Sequence, residues 1–202
     1  MPVETKQLLE QARAGNTAEL GQLLEPYRHY LKLLARVQIG KRVQGKADES
    51  DLVQDTFLDA HRNITNFRGD TEAQLLEWLR TILAAKLADL LRRYLGTRQR
   101  NVAVEREIGD GFNQSTAMLG AGLVSPESSP SQRASRHEEA LRLADALAEL
   151  PANYREAIVL RNIEGLPFAE VANRMGKTVN SVEKLWLRGL AALRKQLEED
   201  RR

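Results

Sequence analysis

Apolar side chains recur every three or four positions through most of the chain, the period of a helix with one buried stripe. That period predicts a helix over 4–14, a break at Gly15 and Asn16, Thr17 as N-cap, and a second helix over 18–39. Pro26 falls inside the second stretch, where its missing N–H and its ring favour a kink or an interruption. After a turn containing Gly and Lys, Ser50 immediately precedes a helix over 51–63. A longer helix follows over 72–94, with Leu75, Leu79, Leu83, Leu87, Leu90 and Tyr94 sharing one face.

The pattern then fails. From Gly109 to Ser135 the residues are largely Gly, Ser, Pro, Gln and Asn, with too little apolar content at any fixed period to pack. A flexible segment of this length separates its ends by about 30 Å. Helical order returns over 136–150, ended by Pro151; over 152–163, ended by Gly165; over 167–175, with a proline in the first turn; and over 179–198. The expected architecture is therefore all-α: a helical domain at 1–100, a flexible linker at 101–135 and a second helical domain at 136–202.

Composition agrees with the pattern. The chain has 202 residues, 42% of them hydrophobic, which is enough for two small cores, and only 5% aromatic. With no cysteine, disulfides and thiolate metal sites are excluded, as suits a reducing compartment; the cytoplasm is the expected location. No run approaches the roughly 18 apolar residues of a membrane span, and the start lacks an export signal, so neither export nor a membrane partner is expected. Net charge is only +2, but its distribution is uneven. Residues 48–59 contain Asp48, Glu49, Asp51, Asp55 and Asp59 without a base, whereas 86–100 contain Lys86, Arg92, Arg93, Arg98 and Arg100 against Asp89 alone. Such asymmetry suggests two partners of opposite charge.

The stretch 168–190, FAEVANRMGKTVNSVEKLWLRGL, carries the most specific chemistry. Ala172 is small where two helices would cross, and Gly176 can take the left-handed conformation that ends the first of them. Val171, Met175, Val182 and Leu185 supply apolar contacts between the pair. These offsets match a helix-turn-helix; the competing reading is an ordinary helical hairpin that uses glycine. At 100° per residue, Val182, Leu185, Trp186, Gly189, Ala192 and Leu193 turn inward, and Asn180, Ser181, Lys184, Leu187 and Arg188 turn outward. Asn180 and Ser181 lie at the helix start, where polar side chains reach phosphate or base edges. Lys184 and Arg188 suit phosphate or guanine acceptors, and Leu187 a thymine methyl; Glu183 suits cytosine N4 or plain solvation. Trp186, by its phase, belongs to the core.

On the helix over 51–63, Val53, Thr56, Phe57, Ala60 and Ile64 form the burying face. The opposite face collects Asp51, Gln54, Asp55, Leu58 and Arg62. An aliphatic side chain ringed by acids suits docking on a basic protein helix, although helix geometry alone reads this as a solvated surface with one stray leucine. Bases after 86 complement a helix C-terminus or contact phosphate; a helix-turn-helix in the same chain favours phosphate.

These segments together resemble the extracytoplasmic-function sigma factors of RNA polymerase. DLVQDTFLDAHRNITNFRGD is similar to the family's second conserved region, the stretch from LADALAELPANYREAIVLRNIEGL through the helix-turn-helix to RKQL resembles its fourth, and ARAGNTAELGQLLEPYRHYLKLLA resembles its first helices. The resemblance implies a core-polymerase partner, with Asp51, Gln54, Asp55 and Leu58 docking on the clamp helices of the largest subunit. It implies promoter DNA as the second partner. The helix spanning Trp78 and Arg93, with Lys86, Arg92, Arg93, Arg98 and Arg100, would engage and help melt the downstream element. The helix from Asn180, through Ser181, Lys184, Leu187 and Arg188, would read the upstream one. An anti-sigma factor is an optional further partner, and no cofactor, metal or catalytic residue is implied. One departure stands out: where family members place an Asn seven residues after the conserved Trp to capture a flipped base, this chain has Ala85, followed by Lys86. The segment between Phe67 and Trp78 is also about two residues longer than is common in the family.

Two other readings compete. A conventional helix-turn-helix regulator would bind its operator alone, but has no use for the acidic face over 51–59. An enzyme would need an assembled site, and His29, His61 and His137 are dispersed with no HExxH, phosphate loop or nucleophile elbow in the sequence.

Overall fold

The computed structural model describes residues 3–42, 48–95, 102–121 and 130–199. Among them the order is α1 (Val3–Arg13), α2 (Thr17–Leu24), α3 (Arg28–Arg42), α4 (Glu49–Asn63), α5 (Glu72–Leu95), α6 (Val102–Ala121), α7 (Pro130–Glu149), α8 (Ala152–Ile158), α9 (Phe168–Met175) and α10 (Val179–Glu199). The described residues contain no strand, as the all-α expectation requires. None of these helices is long and apolar enough to cross a membrane. The chain divides into two compact units, residues 1–114 and 115–202.

In the first unit, α3 and α5 contribute side chains that are almost wholly buried, among them Tyr30, Leu31 and Leu34 from α3 and Leu75, Leu79, Leu83 and Leu87 from α5. Burying each such side chain stabilises by about 1.5–3 kcal/mol. Pro26 interrupts as expected: Glu25–Tyr27 forms a single tight 3-10 turn between α2 and α3. Two local expectations need correction. The N-cap of α2 is Asn16, whose side chain accepts from the Ala18 N–H at 3.2 Å, and not Thr17, which is the first helical residue. The leucine stripe of α5 predicts an inward Tyr94, yet it is 46% exposed, while Leu91, outside that stripe, is buried.

The largest departure concerns the expected linker at 101–135. Over 102–121 the backbone is helical, and its N-terminal part packs in the first unit. Ile108 and Phe112, one turn apart, are 0% and 1% exposed. A Cβ on Gly111 would come within 2.5 Å of Gln38 Nε2, so glycine permits the close approach to α3. Arg80 of α5 donates to Asn113 Oδ1 at 2.6 Å. Polar and glycine-rich composition misled because two well-placed apolar residues and a polar seam are enough once a neighbouring surface is available.

In the second unit, Ala157, Leu160, Val171, Ala172 and Val182 form the buried centre, with Leu166, Phe168, Met175, Leu185 and Trp186 packed around it. Helix α8 continues into one π-type turn, Val159–Ile163. Gly165, at φ +75°, then turns the chain toward α9.

Candidate nucleic-acid and partner interfaces

Helix α9 ends where Gly176 adopts φ 60°, ψ 36°, the left-handed conformation predicted for it. The Lys177 N–H returns to the Ala172 carbonyl at 3.0 Å, closing the turn. Thr178 then caps α10: its Oγ1 accepts from the Ser181 N–H at 3.3 Å and donates to Ser181 Oγ at 2.9 Å. A short turn with both ends capped fixes the angle at which α10 leaves α9.

The inner face of α10 is locked. Val182 and Leu193 are buried, and Gly189 lies against α8, where a Cβ would meet Ile158 Cδ1 at 3.1 Å and Tyr154 Cβ at 3.2 Å. Trp186 donates from Nε1 to Asn162 Oδ1 at 2.7 Å and meets Phe168 edge-on at 5.4 Å, confirming its structural place. Glu164, with a side chain only 4% exposed, pairs with Arg174 at 2.8 Å and ties the π-type turn to α9.

The outer face carries Asn180, Ser181, Lys184, Leu187 and Arg188, all exposed, Leu187 at 59%. Neither Lys184 nor Arg188 forms an ion pair among the described residues. Both line a concavity of ≈ 550 Å³ at the α9–α10 turn, together with Ser181, Thr178 and Lys177. Lys177 escaped the sequence reading; its position directly after the helix-ending glycine was the available signal. Three exposed cations, Lys177, Lys184 and Arg188, and polar side chains at a helix start make a surface suited to phosphate and base edges.

In the first unit, Val53, Thr56, Ala60 and Ile64 are buried and Phe57 half-buried, whereas Asp51, Gln54 and Asp55 are exposed and Leu58 is 48% exposed. Part of the acidity has a local cause. Asp48 caps α4, accepting from the Ser50 N–H at 2.7 Å, and that bond holds its carboxyl below the usual range. Glu49 and Asp51 lie in the first turn, where the helix dipole favours them. Gln54, Asp55 and Leu58 lie beyond the dipole's short reach.

The basic residues of α5 differ from one another. Lys86 is half-buried and paired with Asp59 of α4, which also binds Arg62 at 3.2 Å. Arg92 pairs with Asp89 within its own helix, and Arg93 is exposed. Arg98 and Arg100 lie outside the described residues. Trp78 stacks on Phe67 with centroids 4.9 Å apart, and Ala85 is half-buried.

Both units match known sequence families. The sigma-70 region 2 description matches residues 26–96, within the first unit, and the sigma-70 region 4 description matches 140–193, within the second. Two such regions, in this order on two helical units, define a sigma-type subunit of RNA polymerase. The ECF RNA polymerase sigma factor BldN of Streptomyces coelicolor is 32% identical over 196 residues, covering 97% of this chain and 67% of that protein. The sigma factor CarQ of Myxococcus xanthus is 30% identical over 166 residues, covering 81% and 84%. The sigma-H factor of Pseudomonas aeruginosa is 27% identical over 197 residues, covering 96% and 94%. The chain belongs to the ECF subfamily of RNA polymerase sigma factors; core polymerase and promoter DNA are its partners, and a free-standing regulator is not favoured.

Proposed function

We propose that the exposed α4 face of Asp51, Gln54, Asp55 and Leu58 docks on the clamp helices of the polymerase largest subunit, while α10 reads the upstream promoter element through Asn180, Ser181, Lys184, Leu187 and Arg188. Helix α5, through Arg92, Arg93 and the residues after it, engages the downstream element and assists melting. Lys86 serves there less as a phosphate contact than as a tie to α4, since Asp59 already neutralises it. The protein works by binding alone, without a catalytic site or cofactor, in the cytoplasm beside the polymerase. The observation that carries this reading is the separation of roles on α10: Val182, Gly189 and Leu193 are buried, and the exposed cations Lys184 and Arg188 point the other way.

Transcription in vitro with core polymerase and a promoter library tests it. The expected result is one recovered promoter class, with specific DNA binding that is weak for the isolated chain and strong once core is added. Equal binding without core, or no selection with it, would overturn the reading.

The two units would act as separate domains, the first extending through residue 114, past the domain end at 100 that the sequence suggested. Severing the chain between residues 122 and 130 should leave two fragments, each with its own cooperative thermal transition, because Ile108 and Phe112 belong to the first unit and Ala157, Leu160 and Val171 to the second. Loss of cooperativity in either fragment, followed by calorimetry, would contradict that division.

A further inference from the structure

The turn that ends α8 is wider than an α-helix, with the Glu164 N–H reaching back five residues to the Val159 carbonyl at 2.9 Å. A turn of this kind takes up one extra residue and redirects the side chains within and after it. Three of them reach the helix pair. Arg161 donates to the Leu166 carbonyl at 2.9 Å, with its guanidinium 4.7 Å from the centre of the Phe168 ring. Asn162 accepts from Trp186 Nε1 at 2.7 Å, and Glu164 pairs with Arg174 at 2.8 Å. Because Phe168 also meets Trp186 edge-on at 5.4 Å, Arg161, Phe168, Trp186 and Asn162 close a circuit that joins the turn to α9 and α10.

Trp186 stands two residues from both Lys184 and Arg188, exposed cations of α10. The buried contacts of that helix at Val182 and Leu193 hold it by apolar packing, which has little directional preference. Gly189 sets how closely it approaches α8. The hydrogen bond from the indole is directional, and it restrains what packing leaves soft, the rotation of α10 about its own axis. At the roughly 5–6 Å radius of a helix with its side chains, a roll of about 10° shifts the outer atoms by about 1 Å. That is twice the spread of roughly 0.5 Å over which hydrogen bonds to bases and phosphates are made. We propose that Asn162 is a positioning residue for promoter selection: through Trp186 it sets the roll of α10, and with it where Lys184 and Arg188 meet the upstream element. This rests on the reading of α10 as the recognition helix. The bond itself is exposed and contributes little to stability, so its effect falls on discrimination between promoters and not on folding.

The test uses holoenzyme assembled from core polymerase and the full chain. An upstream element recovered by selection with the parent holoenzyme is compared with its single-base variants, and discrimination is the ratio of their initiation rates. Asn162→Ala should lower that ratio about three- to tenfold at one or more positions, part of the discrimination that a direct base contact supplies. The thermal midpoint of the free chain should move by no more than about 5 °C, and core affinity should be unchanged. Asn162→Asp keeps an acceptor for the indole; its added charge lowers initiation at every site alike and should leave the ratio within about twofold of the parent. Trp186→Phe keeps a ring but not the donor and should match Asn162→Ala. Joining the two changes should lower the ratio no further than either alone, as removal of one shared contact requires. The role is overturned if Asn162→Ala discriminates as well as the parent, if Asn162→Asp is as defective as Asn162→Ala, if the two single effects add, or if the ratio falls only together with thermal stability. Those results leave the reading of α10 intact. A parent holoenzyme that does not discriminate at the upstream element refutes that reading, and the positioning role with it.

Discussion

Replacing Lys184 and Arg188 together by alanine should reduce promoter-specific initiation by about 100-fold or more while leaving affinity for core polymerase unchanged. Each contact to a base edge or phosphate contributes roughly 1–3 kcal/mol, so the loss of two compounds to that scale. Folding should be nearly untouched, since both side chains are exposed and neither belongs to the contacts that hold α10 against α8 and α9. Run-off transcription on a selected promoter and a core-binding titration of the same preparations check the two halves independently. Lost core affinity, or retained promoter selection, would show that α10 does not read DNA through this face.

Replacing Asp55 by Arg and Leu58 by Ala should have the opposite profile. Core affinity should fall by about 10- to 100-fold, because one change puts a repulsive charge on the proposed docking face and the other removes its apolar centre. Thermal stability should move little, as both residues are exposed and Leu58 is not part of the core. Competition against the parent for limiting core polymerase is the measurement, and unchanged affinity would return the α4 face to being a solvated surface. Because Asp48, Glu49 and Asp51 are accounted for by capping and the helix dipole, the second turn of α4 and beyond is where an interface can be distinguished from helix stabilisation.

The two faces of α10 were legible because a helix converts sequence order into direction at a fixed angle. Val182, Gly189 and Leu193 came out buried, and Asn180, Lys184 and Arg188 exposed, as the phase required. Gly176 was legible for a related reason: few residues other than glycine end a helix in the left-handed conformation. Contacts between distant segments were not. The Lys86–Asp59 pair joins α5 to α4 across a turn, and no periodicity announces which acid a given lysine will find. Helix α6 failed for the same reason, since Ile108 and Phe112 looked too sparse to pack until α3 and α5 supplied the surface. Tyr94 shares the stripe in sequence yet is 46% exposed, because periodicity gives a direction from the helix axis but not how deeply that direction is buried.

The residues that anchor α10 and those that face away from it are disjoint sets, alternating along a single helix. On the proposed reading of α10, exchanging Asn180, Lys184, Leu187 and Arg188 should retarget the protein without disturbing Trp186, hydrogen-bonded to Asn162, or the close approach at Gly189. If that face reads the promoter, preference can diverge through surface substitutions that are nearly neutral for folding, leaving the scaffold of the second unit unchanged.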